Sequence, residues 1–197
     1  MIAWSLEMLS DVEVIDRIVV ATDCSAIADC VVSLDIDRVE VYRRSAENAQ
    51  DHSSTESVML EYLEADNEID DRDTFVLVQA TSVFTSSSDI RRGIATMRDH
   101  QVDSVLSCIE SKQFFWTSDG KAINYDYKNR PRRQDFEGQL IENGAFYINK
   151  VRAIKDDKNR LSGHIRPIVM PTYTSIELDE PNDWVIAEAL MERLSRL

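Results

Sequence analysis

Glycine is scarce in this sequence, with only five among 197 residues, and none of them forms a glycine-rich loop that could surround a phosphate. Cysteine is also rare, and Cys24, Cys30 and Cys108 form no CxxC pair. Their odd number and wide spacing argue against a disulfide framework and against a zinc site. We therefore expect all three to be small, buried hydrophobic residues.

Long apolar runs are absent as well. No stretch reaches the ~18 residues that a membrane span needs. The first residues lack the basic segment and the small-residue cleavage site of a signal peptide. The histidines His52, His100 and His164 are scattered, without the spacing of metal ligands. These absences predict a soluble, cytoplasmic protein that does not bind a membrane and holds no metal through histidine.

Positive charge is outnumbered, because 36 acidic residues face 22 basic ones and the net charge is -14. Such a chain repels nucleic acid, so we expect no nucleic-acid partner. The eight carboxylates within residues 56–73 are expected to form a solvated helix face and loop. One basic cluster stands out, formed by Lys128, Arg130, Arg132 and Arg133. It is either a solvated loop or an anion-binding surface, and the acidic background favours the second.

Strand-like and helix-like segments alternate along the chain. The predicted strands are 17–23, 39–42, 74–79, 103–109 and 165–170, and the predicted helices are 2–9, 25–32, 53–63, 88–97 and 181–194. Because the strand cores are apolar throughout, they predict an α/β protein with a mainly parallel sheet covered on both faces. Ligands of such sheets bind beyond the carboxyl ends of the strands. The polar residues at those ends are Thr22, Asp23, Gln79, Thr81 and Ser82.

Local patterns predict several finer features. Ser53 and Glu56 have the spacing of a helix capping box, and residues 175–178 are expected to form a short strand. On the last helix, the apolar residues Trp184, Leu190 and Leu194 are expected to be buried. Residues 112–149 are rich in aromatic and basic side chains, with Asp-Gly at 119–120 as a hairpin turn. This segment predicts an antiparallel excursion whose exposed aromatic residues contact another subunit.

Three groups of polar residues carry possible chemistry. Arg43 and Arg44 precede the serine-rich start of the third helix, which is either a phosphate site or only a helix cap. Arg132-Arg133-Gln134-Asp135, followed by Glu142-Asn143-Gly144-Ala145, is suited to a small anionic substrate because arginine binds carboxylates bidentately. Glu177 and Asp179 share one face of an extended segment and could hold a divalent cation. Alternatively, Asp179 only caps the helix that begins at Pro181.

In this order, the polar and apolar motifs resemble one family closely, that of the acylneuraminate cytidylyltransferases, or CMP-sialic acid synthetases. The resemblance extends almost end to end. The matching segments are Ile2-Ala3-Trp4-Ser5, Val20-Ala21-Thr22-Asp23, Arg44 with Glu47, Ala49 and Asp51 before Ser53-Ser54, Gln79-Ala80-Thr81-Ser82, Arg132-Arg133-Gln134-Asp135, Glu142-Asn143-Gly144-Ala145-Phe146-Tyr147-Ile148, and Glu177-Leu178-Asp179 ahead of Trp184.

The resemblance implies a three-layer, Rossmann-like nucleotide-diphospho-sugar transferase fold in a single domain over residues 1–197. It also implies transfer of CMP from CTP to a sialic acid with release of pyrophosphate, in the presence of Mg²⁺. A homodimer is implied, built through a dimerisation segment at about residues 112–149 that crosses to the partner and would let Arg133 serve the partner's site. The implied roles are sugar binding for Gln79, Arg133 and Asn143, nucleotide binding for Arg44 and Ser54, and metal binding for Glu177 and Asp179.

The chain departs from the family pattern at its start. The family begins with a strand and a basic phosphate loop, whereas this sequence begins at the helix that follows them. We therefore expect a truncated chain with low or no CTP-dependent activity. Smaller departures are Val83-Phe84, where the family usually has Pro-Leu, and Glu177, where it often has Asp. Two alternatives remain open: a non-catalytic sugar-binding or assembly subunit, or an enzyme for a related nonulosonic acid such as legionaminic or pseudaminic acid.

Overall fold

The computed structural model describes residues 1–99 and 101–196, so His100 lies outside the described residues. The helices are α1 Ile2–Ser10, α2 Ser25–Ser33, α3 Thr55–Ala65, α4 Ser87–Met97, α5 Val151–Asp157 and α6 Pro181–Leu194. The strands are β1 Ile18–Thr22, β2 Val39–Arg43, β3 Thr74–Val78, β4 Ser104–Ser111, β5 Gln139–Lys150 and β6 Ile165–Met170. Each helix and strand predicted from alternation is confirmed to within a few residues. Helix α5 and strand β5 are additions to that alternation, and β5 lies almost wholly within residues 112–149, where an antiparallel excursion was expected. In the described part of the chain, no helix combines the length and apolarity that crossing a membrane requires.

The strands form a mixed sheet arrangement in two parts. Strands β1 and β2 pair in parallel, while the other four have the order β3-β5-β4-β6. Strand β5 is antiparallel to both of its neighbours, and β4 is parallel to β6. The α/β class is confirmed, and the four-stranded sheet is mixed: β3, β4 and β6 run in one direction, as a mainly parallel sheet requires, and β5 runs in the opposite direction. The apolar run at 145–148 could not reveal this, because a strand buried on both faces has the same pattern in either direction.

Helices cover both faces of the strands and form two apolar layers. On one face, buried residues of α1, α2 and α4 pack on Ile18 and Val20 of β1 and on β5, with Val76 of β3 at the margin. On the other face, α3 and α5 pack around Val19 of β1 and Phe75 of β3. Both layers therefore continue from β1 to β3, although the described residues contain no pairing between these two strands. The result is a three-layer arrangement of helices, strands and helices.

Two local predictions at helix ends are wrong. The cap of α3 is Ser54 rather than Ser53, because the Ser54 hydroxyl accepts a hydrogen bond from the Ser57 N–H at 3.1 Å. Glu56, the other half of the expected box, instead pairs with Arg160 at 2.5 Å. Residues 175–178 form no strand; a 3-10 turn occupies Thr172–Ser175. The polar, serine- and threonine-rich turn closes on itself through the Thr174 N–H and the Pro171 carbonyl at 3.0 Å.

Burial predictions failed where an element packs through small residues. Helix α6 buries only Ala187, while Trp184 is 43% exposed and Leu190 and Leu194 are half-buried. Cys108 is buried in β4 as expected, whereas Cys24 and Cys30 are exposed. Cys24 is the N-cap of α2 and Cys30 is an exposed residue within it, whereas the buried residues of the helix are Ala28 and Val31.

The acidic stretch at 56–73 is only partly solvated, contrary to expectation. Glu61 accepts hydrogen bonds from the Ser45 N–H and the Tyr42 hydroxyl, both at 2.8 Å. Asp66 and Glu68 both pair with the guanidinium of Arg17. Several of these carboxylates therefore hold neighbouring loops in place rather than facing water alone.

The part of the aromatic segment that precedes β5, residues 112–138, is called the arm. Its predicted hairpin is confirmed, because Trp116 forms a bridge with Ala122 and Gly120 takes the left-handed conformation, with φ +83°. Aromatic rings pack on one another within the arm, with 4.2 Å between the ring centroids of Phe114 and Tyr125. Trp116 nevertheless remains 47% exposed, so the arm carries an apolar outer surface.

Candidate substrate site

A bulge in β5 shapes the candidate site. The pairing of β4 with β5 passes from Leu106–Tyr147 to Cys108–Glu142, so Ser107 alone faces four residues, 143–146. The Phe146 N–H donates to the Ser107 hydroxyl at 3.0 Å, which satisfies a backbone group that the ladder leaves out. Gly144 has φ +69°, a backbone conformation that residues other than glycine rarely adopt. Bulges of this kind change the direction in which side chains point.

Oxygen atoms from two other segments converge on the bulge. A Cβ atom at Gly144 would lie 2.9 Å from Glu177 Oε1 and 3.0 Å from Gln79 Oε1. The Ser82 hydroxyl donates to the same Glu177 oxygen at 3.2 Å. The backbone of the 177–179 segment is tied to the end of β3, because the Leu178 N–H donates to the Thr81 carbonyl at 3.1 Å. The structure thus brings Gln79, Glu177 and the bulge together.

Asn143, the first bulged residue, is buried beside this point. Its amide nitrogen donates to the Thr174 hydroxyl at 3.0 Å and to the Thr174 carbonyl at 3.4 Å. The Asn143 Oδ1 atom is buried and has no hydrogen-bond partner among the described residues. An unpaired buried acceptor is unfavourable by about 1–3 kcal/mol, so it marks a place where a ligand donor could bind.

Arg133 lines a cavity of about 610 Å³ at the carboxyl ends of β4 and β6. Met170, another lining residue, has its sulfur 3.5 Å from the Asn143 amide nitrogen, so the cavity adjoins the bulge. Lys112 adds a second positive charge, and its ammonium group is 3.8 Å from the Glu110 carboxylate. With two cations and one carboxylate, this cavity has a net positive charge in an acidic protein and favours an anion.

The two residues implied for the nucleotide lie apart from this cluster. Arg44 pairs with Asp23, and the hydrogen bond from its guanidinium lowers the pKa of that carboxyl. The Arg44 Nε atom is buried and lacks a hydrogen-bond partner in the described structure. Ser54 is exposed, and its hydroxyl is engaged in capping α3. The start of α3 therefore offers backbone N–H groups to an anion, with the serine oxygen already in use.

Asp179 is exposed and does not cap α6, because the N-cap of that helix is Glu180, paired with Asp183. The reading of Asp179 as a helix cap is therefore wrong. Residues 1–99 and 101–196 contain no group of three or more His, Cys, Asp or Glu side chains arranged to hold a metal ion. The oxygens of Glu177 and Gln79 near Gly144 are hard donors that suit Mg²⁺, which typically binds one or two carboxylates together with substrate phosphates.

Sequence reasoning missed two contributors to this site. Thr174 holds the Asn143 amide, and Met170 connects it to the arginine-lined cavity. Thr174 belongs to no periodic pattern or motif, and the apolar pattern that places Met170 in a strand does not show what it contacts. Each lies at least 27 residues from Asn143 in the chain. The only signal near Thr174 is the run of polar residues between β6 and α6.

The fold and the site together define an α/β protein with a polar candidate site at one end of a mixed sheet. Residues 1–154 match the family described as cytidylyltransferase, and the chain belongs to that family.

Individual relatives are similar to most of this chain, and a solved structure shares its fold. The chain is 30% identical to N-acylneuraminate cytidylyltransferase B of Danio rerio over 95% of its own length, but it spans only 44% of that relative. It is 29% identical to CMP-N,N'-diacetyllegionaminic acid synthase of Legionella pneumophila, covering 90% of this chain and 78% of the relative. In fold, it resembles CMP:2-keto-3-deoxy-manno-octonic acid synthetase, solved with CTP, with a TM-score of 0.67 at 16% identity, over 98% of this chain and 87% of the other.

Proposed function

We propose that this chain takes part in the transfer of CMP from CTP to a sialic acid, with release of pyrophosphate and with Mg²⁺ as cofactor. The observation that carries the proposal is the convergence of Gln79, Glu177 and the 143–146 bulge beside the cavity that Arg133 lines. Family membership supports the nucleotide half of the reaction, and the names of the relatives support a sugar acid as the acceptor.

In this proposal, the sugar half of the site recognises an anion with hydrogen-bonding groups. The Arg133 guanidinium binds the sugar carboxylate through two parallel hydrogen bonds. The amide oxygens of Gln79 and Asn143 accept hydrogen bonds from hydroxyl or N–H groups of the sugar. These contacts hold the anomeric hydroxyl oxygen in line to attack the α-phosphorus of CTP. The new O–P bond replaces the bond to the pyrophosphate leaving group, and the hydroxyl proton is released to solvent.

The charged half of the site would serve the triphosphate. Glu177 and Asp179 are the residues that would hold Mg²⁺, which neutralises charge on the phosphates when bound. Arg44 and the N-terminus of α3 with Ser54 would bind the nucleotide. No glycine-rich phosphate loop occurs within the 197 residues, so we expect slow turnover by this chain alone and use substrate binding as the primary test.

Arg133→Ala tests the sugar pocket. We expect the affinity for N-acetylneuraminate, measured by isothermal titration calorimetry, to fall about 10- to 100-fold, because a charge-assisted hydrogen-bonded pair is lost. Arg132→Ala is the matched control, since it removes the same charge from the adjacent residue, which does not line the cavity. Equal effects of the two substitutions, or no effect of Arg133→Ala, would refute the assignment of the pocket.

Two other functions are alternatives to this proposal. The Legionella relative makes a related nonulosonic acid a second candidate acceptor, and a titration of legionaminic acid beside N-acetylneuraminate compares the two. A non-catalytic sugar-binding or assembly subunit is the alternative from another class of protein. An assay of pyrophosphate release from CTP and the sugar distinguishes a non-catalytic subunit from an enzyme. Robust turnover by the 197-residue chain would rule out the non-catalytic role.

A further inference from the structure

The side chain of Thr174 contacts the side-chain amide of Asn143 in the candidate site. Thr174 is 2% exposed and Asn143 is 6% exposed, so their contact is shielded from water. The Thr174 hydroxyl donates its proton to the Pro171 carbonyl at 2.8 Å. Since that proton is committed, the hydroxyl oxygen can only accept from Asn143, whose amide nitrogen lies 3.0 Å away.

This arrangement determines the orientation of the Asn143 amide. The Thr174 carbonyl, 3.4 Å from the same nitrogen, is a second acceptor on that side. An amide rotated by 180° would place its oxygen against two acceptors, so the observed orientation is the stable one. The Asn143 Oδ1 atom is consequently held on the other side, buried and without a partner among the residues that the structure describes.

We propose that Thr174 is a positioning residue: it fixes the Asn143 amide so that Oδ1 accepts a hydrogen bond from an O–H or N–H group of the bound substrate. The identity of the substrate as a sugar acid rests on the proposed function. The position of Thr174 fits such a substrate. The 3-10 turn that carries Thr174 also contributes Thr172 to the cavity that Arg133 lines. A ligand with its carboxylate at Arg133 and a donor group near Asn143 would use both.

The orientation is tested first without any ligand, by NMR of the ¹⁵N-labelled chain. The side-chain amide signal of Asn143 is assigned by its loss in Asn143→Asp. We expect its protons to exchange slowly with water in the wild type and in Thr174→Ser, which keeps the hydroxyl. In Thr174→Val, which keeps the shape but removes the hydroxyl, exchange should be at least about tenfold faster, because one hydrogen bond is lost. Equal rates in all three proteins would overturn the proposal.

The consequence for recognition is tested by titrating N-acetylneuraminate against the same three proteins. We expect Thr174→Val to bind about tenfold more weakly, and Thr174→Ser to stay within about threefold of the wild type. Thr174→Ala provides a second protein without the hydroxyl if the valine variant fails to fold. Circular dichroism confirms the fold of each.

The outcomes separate the two proposals. If the wild type binds the sugar and Thr174→Val binds it equally well, the positioning role is refuted and the proposed function stands. If the exchange rates follow the expected pattern but the wild type does not bind the sugar, orientation of the amide by Thr174 is supported, and the proposed sugar function fails.

Discussion

At the scale of single residues, Gly144 is the position where backbone and site are most tightly linked. Its φ of +69° favours glycine, and the space that a side chain would need is occupied by the oxygens of Gln79 and Glu177. The same glycine lets the bulge form and lets the two oxygens approach the backbone of β5. The backbone conformation of Gly144 and the geometry of the candidate site are therefore coupled at one residue.

Gly144→Ala should weaken both stability and sugar binding. The left-handed conformation alone is unfavourable for alanine by about 1–3 kcal/mol, and the added methyl group must also displace Glu177 or Gln79. Gly120→Ala is the control, because Gly120 has φ +83° but no atom within 4 Å of its would-be Cβ. Urea unfolding and sugar titration of both variants measure the difference. Equal losses of stability, with sugar binding intact in both, would contradict the convergence at Gly144.

Also at the scale of single residues, the Glu61 carboxylate stabilises the fold in a way that depends on pH. Burial alone would raise the pKa of Glu61, but hydrogen bonds from Asn48, Ser45 and Tyr42 outweigh it and lower the pKa to about 2 from 4.5. A lowered folded-state pKa means that the carboxylate stabilises the fold above pH 4.5 and that this contribution is lost as the pH falls towards 2. Glu61 thus holds the loop next to Arg44.

Glu61→Gln should therefore lower the free energy of unfolding at pH 7 by about 1 kcal/mol or more, because hydrogen bonds to a charged acceptor are weakened. The difference from the wild type should narrow below pH 4.5 and vanish near pH 2. Urea unfolding across this pH range is the measurement. Glu64→Gln, at an exposed position of the same helix, is the control. A difference that stays constant with pH would show that Glu61 acts through packing rather than through its charge.

At the scale of elements, the contact between α4 and β5 positions the bulge. Helix α4 begins at a capping box in which Ser86 and Asp89 bond each other's backbone N–H groups. Its buried Gly93 allows the helix to approach Phe146 and Ile148, both fully buried in β5. This close approach holds the strand immediately after the bulge.

Gly93→Ala should destabilise the protein even though alanine favours a helix by about 1 kcal/mol. The new Cβ would lie 2.7 Å from Ile148 Cδ1 and 2.9 Å from Phe146 Cε2, and overpacking of a core typically costs about 1–3 kcal/mol. Ala95→Gly, at an exposed position of the same helix, measures the effect of helix propensity on stability without the change in packing. Thermal and urea unfolding report both variants. Stabilisation by Gly93→Ala would show that α4 can move away from β5.

At the scale of the whole molecule, the arm presents the apolar surface from which we propose a homodimer. Ile123 is 60% exposed and Tyr127 is 57% exposed, beside the exposed ring of Trp116. Contiguous exposed aromatic and aliphatic side chains are typical of protein interfaces. Arg133 belongs to the same arm as these exposed residues. The proposed dimer interface would therefore lie close to the proposed substrate site.

Sedimentation velocity tests the dimer. We expect the wild type at micromolar concentration to sediment with twice the chain mass of 22.6 kDa, and Ile123→Glu to shift it towards the monomer, because a buried unpaired charge opposes association. Val32→Glu is the control, since Val32 is an exposed apolar residue of α2 outside the arm. A monomeric wild type, or an equal effect of the two substitutions, would contradict the proposed interface.

Much of this protein could be predicted from local sequence. Apolar β-branched runs located the strands, and helical periodicity located the helices, because burial and periodicity are encoded in neighbouring residues. Gln79, one of the polar residues noted at the strand ends, lies near the bulge together with Asn143 and Glu177, which belong to two other motifs of the sequence. Their roles, with those of Arg44, Ser54, Arg133 and Asp179, remain predictions.

The sequence by itself determined the elements, the α/β class and the polar residues at the strand ends. The tertiary structure alone decided that β5 runs antiparallel between β3 and β4, that its bulge directs Asn143, and that Thr174 orients the Asn143 amide. The physical reason is that a residue's pattern records whether it is buried but not which distant segment covers it. Thr174 lies 31 residues from Asn143, and only the packed sheet brings the two together.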